Sequence, residues 1–218
     1  MRPVRPGRTT AREHRNRSHS RQEEGVLDQL NSLLHRQVRR QEGREEEPTP
    51  CVIDSQSIKT STNVPASEQG IDAGKKIVGR KRSIFIDTVG LLLTVPVTAA
   101  GVQDSIAGRT LTDRVAVDHP TVRKTWVDGG YRQHLVEHAA TLDIEMHIVR
   151  RDPTTRGFTV LSQQWTVGRT LGRLMNHRRL ALDYETHPHR SEAMIHLAMI
   201  NLMTRRSIAE SAPSRCGT

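Results

Sequence analysis

Two aspartates carry the types and setting that could do chemistry. Asp54 closes a short β-rich run at Cys51–Asp54, and Asp128 lies just past a second run at Thr125–Val127, 74 positions further along the chain. If these runs are neighbouring parallel strands, both carboxylates emerge at one sheet edge, where open α/β sheets place their ligands. Carboxylates so placed share hard cations such as Mg²⁺ or Mn²⁺. Two such ions about 3.5 to 4 Å apart stabilise both the attacking and the leaving oxygen of a phosphoryl displacement. The same residues also suit a plainer role, because Asp54 can open an Asx-turn and Asp128 can cap the Gly129-Gly130 turn.

A second set of residues suits a polyanion. Lys75, Lys76, Arg80, Lys81 and Arg82 place five cations in eight positions around Gly79, and Arg169 and Arg173 stand one helical turn apart. Such side chains neutralise backbone phosphates without reading bases, although a basic run is also an ordinary solvated face. Arg178 and Arg179 equally suit a helix C-terminus. His134-Leu-Val-Glu137-His138 has the spacing of a zinc-peptidase helix. It lacks a patterned downstream partner, so a chance match is the expected reading.

Composition points the same way. The 218 residues carry a formal charge of +9, only 34% are hydrophobic, and six are aromatic; the pI is about 10.5 and the mean hydropathy −0.59. This balance favours a nucleic-acid partner and leaves part of the chain outside any core. Cys51 and Cys216 are too few for a disulfide framework, which fits a reducing cytoplasm. Val89–Val102 is the most apolar stretch, but Thr94, Pro96 and Thr98 interrupt it, so no membrane span is expected. No apolar segment follows the first arginines as a secretory signal would require.

The elements that must position these groups follow from periodicity. Residues 1–21 hold seven Arg, one Glu and almost nothing apolar, and read as a disordered basic arm. Val26, Leu27, Leu30, Leu33, Leu34 and Val38 recur at helical spacing, giving residues 22–47 as an amphipathic helix and acidic linker. Residues 48–206 then read as the folded domain. Strands are expected at Cys51–Asp54, Ser83–Thr88 and Leu91–Thr98, then a helix around Ala107–Val117, a strand at Thr125–Val127, a helix around Arg132–Thr141, a strand at Glu145–Val149 and a helix at Gln164–His177. A further helix at Ser191–Arg206 is apolar nearly all round and reads as core, and residues 207–218 read as a disordered tail. The order is βββαβαβα plus one helix, an α/β fold with parallel additions to the sheet.

Several motifs resemble a known family. Asp54-Ser-Gln-Ser-Ile-Lys-Thr, Gly79-Arg-Lys-Arg, Asp87-Thr-Val-Gly-Leu-Leu-Leu, Val102-Gln-Asp, Trp126-Val-Asp-Gly-Gly-Tyr, His177-Arg-Arg-Leu and Asp183-Tyr-Glu look like the DDE transposases of insertion sequences, of the family-five type in the IS4-like superfamily. The resemblance runs from about Leu34 to Arg206. It implies a ribonuclease H-like mixed sheet with flanking helices, Mg²⁺ or Mn²⁺ as cofactor, and Asp54 and Asp128 as the first two catalytic, metal-holding carboxylates. It also implies double-stranded DNA, as element ends and as target, and action as a homo-oligomer or beside a full-length transposase, in the bacterial cytoplasm at the nucleoid.

Two departures from the family pattern stand out. The third carboxylate is a Glu in a W-V-V-E-R-T run, and the matching run here, Trp165-Thr-Val-Gly-Arg-Thr, places Gly168 at that position. A residue without side-chain oxygens ligates no metal, so impaired cleavage and strand transfer are expected. Glu185 and Glu192 are the candidates for a substitute ligand. The family also usually carries a longer helical region ahead of the first Asp, whereas 53 residues precede Asp54, so a shortened copy is expected. The alternative reading is a noncatalytic DNA-binding remnant that regulates or competes with a full-length transposase. Trp126 and Trp165 are expected to pack beside the catalytic positions.

Overall fold

The computed structural model describes residues 11–149 and 162–211. A long helix, α1 (Ala11–Gln41), leads into β1 (Pro50–Lys59), β2 (Gly70–Asp72), β3 (Ile77–Asp87), β4 (Leu92–Thr94) and β5 (Val97–Ala99). Then α2 (Asp104–Asp118), β6 (Lys124–Asp128), α3 (Gln133–Ala140), β7 (Glu145–Val149), α4 (Ser162–Met175) and α5 (Pro188–Ser211) follow. The sheet order is β2-β3-β1-β6-β7, with β4 and β5 also on β3. β1 runs antiparallel to β3 and parallel to β6, and β6 is parallel to β7. This is the mixed sheet of a ribonuclease H-like fold.

The alternation of β1 and β3 explains the layers, because successive side chains in a strand point to opposite faces. Val52, Ile84 and Ile86 pack on one face beneath α1, α4 and α5 with Val38, Val167, Leu171, Ile195 and Met199. Cys51, Ile53 and Phe85 pack on the other beneath α2 and α3 with Leu111, Val115, Leu135 and Ala139. With both faces covered, the stretches 51–53 of β1 and 84–86 of β3 are continuous apolar runs instead of alternating ones.

Several boundaries differ from the sequence expectation. The helix expected from Gln22 begins at Ala11, inside the stretch read as a disordered arm. Residues 11–24 contain no Gly or Pro and are rich in Arg, Glu and Gln, all good helix formers, so low apolar content did not prevent a helix. The rest of the arm, residues 1–10, lies outside the described residues. The final helix spans Pro188–Ser211 and takes up the start of the expected tail, whose remainder, residues 212–218, is outside them too. The expected single strand at Leu91–Thr98 is two, β4 and β5, interrupted at Val95-Pro96 because proline has no N–H to give the ladder. β2 was not expected; it pairs only Gly70–Asp72 with Ile77–Gly79.

One ion cluster fastens α1 to the sheet. Asp87, at the end of β3, is fully buried; its Oδ2 accepts from Arg39 Nη1 at 2.6 Å and lies 3.2 Å from His35 Nε2. Its Oδ1 accepts the N–H groups of Val89 and Leu91 at 3.0 and 2.8 Å, shaping the turn to β4. Burial works to raise the Asp87 carboxyl, but His35, Leu91 N–H and Arg39 outweigh it and hold it below the ordinary range. Gly90 closes this turn with φ +86°, and a Cβ there would meet Thr170 Oγ1 of α4 at 2.7 Å. The turn can therefore dock on α4 only as glycine.

Candidate functional site: two in-register aspartates at the sheet edge

In the parallel pair of β1 and β6, Val52 stands opposite Trp126. Two steps further along each strand come Asp54 and Asp128, which therefore emerge side by side on the same face, the one covered by α4. Both line a cleft of about 220 Å³ with Val52, Trp126, Val149 and Val167 of α4. The structure thus brings together the two aspartates singled out in the sequence.

Their environments differ. Asp54 is largely buried, and its Oδ1 accepts the N–H of Ser55 at 2.7 Å. Burial pushes its carboxyl up to about 6, against the Ser55 N–H; the charges of Asp128 and Asp104 add to the rise and Lys75 opposes it. A carboxyl crowded by like charges is expected where a cation normally sits. Asp128 Oδ1 accepts the Gly130 N–H at 2.9 Å, so this residue also performs the turn role considered for it.

A third acid, Asp104, was not among the candidates. It opens α2, and its Oδ1 accepts the Ser55 hydroxyl at 2.9 Å and the Lys81 ammonium at 2.8 Å. The signal was the Val102-Gln-Asp run, to which no role was attached. Tyr131 is likewise part of the site: it is 3% exposed, and its ring fits so closely under α2 that a Cβ on Gly108 would stand 2.9 Å from Cε1. Its hydroxyl has the Ser55 side chain as its hydrogen-bonding neighbour. Burial, then the charges of Asp104, Asp54 and Asp128, push the phenol well above its usual range.

The chemistry of these donors fits a divalent cation. Carboxylate oxygens and a phenol are hard ligands. The absent Cβ of Gly130 leaves a gap whose centre is 3.1 Å from Asp128 Oδ1 and 3.5 Å from Asp104 Oδ2. Among the described residues, however, no three His, Cys, Asp or Glu side chains are already gathered into a cation cage. His138 of the H-x-x-E-H run instead pairs with Asp113 at 2.6 Å, joining α3 to α2.

The basic run does not form one surface cluster. Lys75 and Lys76 are exposed at the β2–β3 turn, and Lys75 Nζ donates to Ser55 O at 3.2 Å. Arg80, Lys81 and Arg82 are buried, at 0%, 5% and 2% exposure, which corrects their reading as surface contacts for DNA. Arg80 donates to the carbonyls of Glu68, Glu185 and Thr186 and faces Asp183 at 3.5 Å. Arg82 donates to Leu180 O at 2.8 Å, and burial brings its guanidinium down to about 10 despite Asp183. Lys81 donates to Val102 O as well as pairing with Asp104. These long side chains lie on a central strand covered on both faces, so their charged ends reach backbone carbonyls instead of solvent.

On α4, the Arg169 guanidinium sits 4.4 Å over the ring of Trp165, which is 52% exposed and not the packing residue expected. Trp126 does pack, against the α4-side core. Arg173 is half-buried, and burial, Arg169 and Arg206 lower its pKa against Glu42. Gly168 is exposed beside Val167, and a Cβ built on it would meet nothing within 4 Å. The substitutes considered for it are engaged elsewhere: Glu185 Oε1 with Arg179 at 2.9 Å, and Glu192 Oε1 with the Val97 N–H at 2.8 Å. Neither lines the cleft.

Helices on both faces of a mixed sheet, with two aspartates on adjacent parallel strands, make a ribonuclease H-like fold. A family model described as the transposase DDE domain matches residues 45–203, and the chain belongs to that family. No curated protein matches it. Among the described residues, no helix is long and apolar enough to cross a membrane.

Proposed function

We propose that this chain is a DNA transposase of the insertion-sequence family-five type, with Asp54 and Asp128 as its catalytic carboxylates and its chemistry impaired by Gly168. The observation that carries the reading is the shared face of Asp54 and Asp128 two residues beyond the Val52–Trp126 pair. Asp54 and Asp128 would hold Mg²⁺ or Mn²⁺. Bound there, the ion supplies Lewis-acid activation of the nucleophile at a scissile phosphodiester, water for cleavage and a 3′-hydroxyl for strand transfer.

The chain's own residues do the rest. At neutral pH Asp54, with a carboxyl near 6, has given up its proton and is able to ligate. Lys75 and Lys76, exposed beside the cleft, and Arg169 and Arg173 on α4 contact the DNA backbone of element ends and target. The site of action is nucleoid DNA in the bacterial cytoplasm, and the working form is a homo-oligomer or a pairing with a full-length transposase.

Mg²⁺-dependent nicking of DNA carrying the cognate element ends tests this in the natural chain and in Gly168→Glu. Weak or no cleavage by the first and a gain in the second is expected. Equal robust cleavage by both would refute the impairment. The missing oxygens at Gly168 also favour a second reading, a noncatalytic remnant competing for the ends of a full-length copy. Salt-dependent DNA binding with no cleavage by either protein would select it.

A further inference from the structure

We propose that Trp165, with Arg169 stacked on it, is a platform for an unpaired DNA base beside the cleft, so that the strand held there is opened and not fully duplex. The inference rests on the reading of the cleft of Asp54 and Asp128 as the place where DNA is held. Among the described residues Trp165 belongs to neither apolar layer of the fold, and it is 52% exposed. A Trp so placed adds little to the core, and its flat apolar ring is open to a ligand. Arg169, one turn further along α4, lays its guanidinium 4.4 Å from the ring centre and donates a long hydrogen bond, 3.5 Å, to Val89 O in the turn between β3 and β4. The ring is thereby held on one side by a cation that is itself fastened to that turn.

The rest of the same helix face is bare. Gly168 and Gly172 follow Trp165 at spacings of three and seven, which puts all three on one side of α4. A Cβ built on either glycine would meet nothing within 4 Å, so a planar group can lie against the helix next to the indole. That side adjoins the cleft. Val167 lines it with Asp54 and Asp128, and positions 165 and 168 are surface neighbours about 5 to 6 Å apart. The chemistry selects a nucleobase: bases stack on aromatic rings whatever their identity, and the flanking phosphates find Arg169 and Arg173 on the same helix. Inside a duplex each base face is covered by its neighbours in the stack, so only a strand end or an extruded base offers one to Trp165.

The test uses the full chain in EDTA at pH 7.5 and two DNA duplexes of one sequence, one blunt and one ending in an unpaired 2-aminopurine. The natural chain should bind the overhanging duplex about tenfold more tightly than the blunt one, read by fluorescence anisotropy of a dye at the far end, and stacking on the indole should quench the 2-aminopurine emission. Trp165→Phe keeps an aromatic face and should retain part of both effects. Trp165→Leu keeps apolar bulk without such a face and should lose both, while losing far less of its hold on the blunt duplex. Its melting temperature should stay within about 2 °C of the natural chain's, as at other exposed positions. A preference for the overhang that survives in Trp165→Leu overturns the proposal, as does an equal weakening on both duplexes by that substitution. A natural chain that binds both duplexes equally with no quenching also overturns it; Trp165 and Arg169 are then only a helix-surface pair, and the DNA-binding reading stands. If the natural chain binds neither duplex, both readings fall.

Discussion

Replacing Asp54 by Asn should make the metal-free protein more stable at neutral pH, although it removes a residue the chemistry needs. The carboxyl is raised from 3.8 to about 6 by burial and by Asp128 and Asp104. Between these values the unfolded chain has released the proton while the folded chain keeps it, so stability falls as pH rises through that window and is level above it. At about 1.4 kcal/mol per pH unit, the ionised Asp54 costs the fold about 3 kcal/mol at pH 7.5. Asn is isosteric and its amide oxygen can still accept the Ser55 N–H. A net gain of about 1 to 3 kcal/mol is therefore expected at pH 7.5, or about 2 to 10 °C in melting temperature for a chain of this size. The assay is urea unfolding in EDTA at pH 7.5 and at pH 4. The gain should shrink toward zero at the lower pH, where the natural carboxyl is already protonated in the fold. An equal gain at both pH values, or a clear loss at pH 7.5, would refute the argument that the site stores unfavourable charge.

Other outcomes follow from the same geometry. Asp87→Ala leaves Arg39 buried without its partner and opens the turn to β4; the expected loss is about 3 to 5 kcal/mol, read by urea unfolding. Arg80→Met should destabilise the fold because three carbonyls, of Glu68, Glu185 and Thr186, lose their donor. Lys75→Ala with Lys76→Ala should leave the melting temperature within about 2 °C while weakening DNA binding and flattening its salt dependence, measured by fluorescence anisotropy at several salt concentrations. Gly168→Glu should cost no stability, since nothing lies within 4 Å of the added Cβ, and the helix should gain a few tenths of a kcal/mol in propensity.

Two charged assemblies that look alike in sequence have opposite roles in space. Five cations between Lys75 and Arg82 read as one phosphate-binding run, yet the chain enters a covered strand after Gly79. From Arg80 onward the side chains are anchors between β3 and the segments around it. Burial of a guanidinium is tolerable where fixed acceptors replace water; the carbonyls of Glu68, Glu185 and Thr186 do so for Arg80, and that of Leu180 for Nη1 of Arg82. The motif Gly79-Arg-Lys-Arg therefore holds the fold together, and of the five cations only Lys75 and Lys76 are exposed, as the proposed contact with DNA requires.

Much was legible from local pattern. Hydrophobic periodicity placed the five α-helices among the described residues, though not the start of α1, and most strands, because a residue's tendency to turn its apolar side inward at a period of 2 or 3.6 is a property of neighbours in the chain. The identity of Asp54 and Asp128 was also legible, as was the absence of an oxygen at Gly168. Their meeting was only conditional, since sequence does not state which strands pair or in what register. Tertiary structure decided that β1 and β6 are parallel neighbours with Val52 opposite Trp126, which sets both carboxylates on one face. It also decided that Asp104, from the start of α2, comes near Asp128 at Gly130, and that Tyr131 is buried in the layer under α2 and α3. Burial and long-range proximity depend on every layer packed around a residue, so the charge that raises Asp54 comes from groups 50 and 74 positions away in the chain.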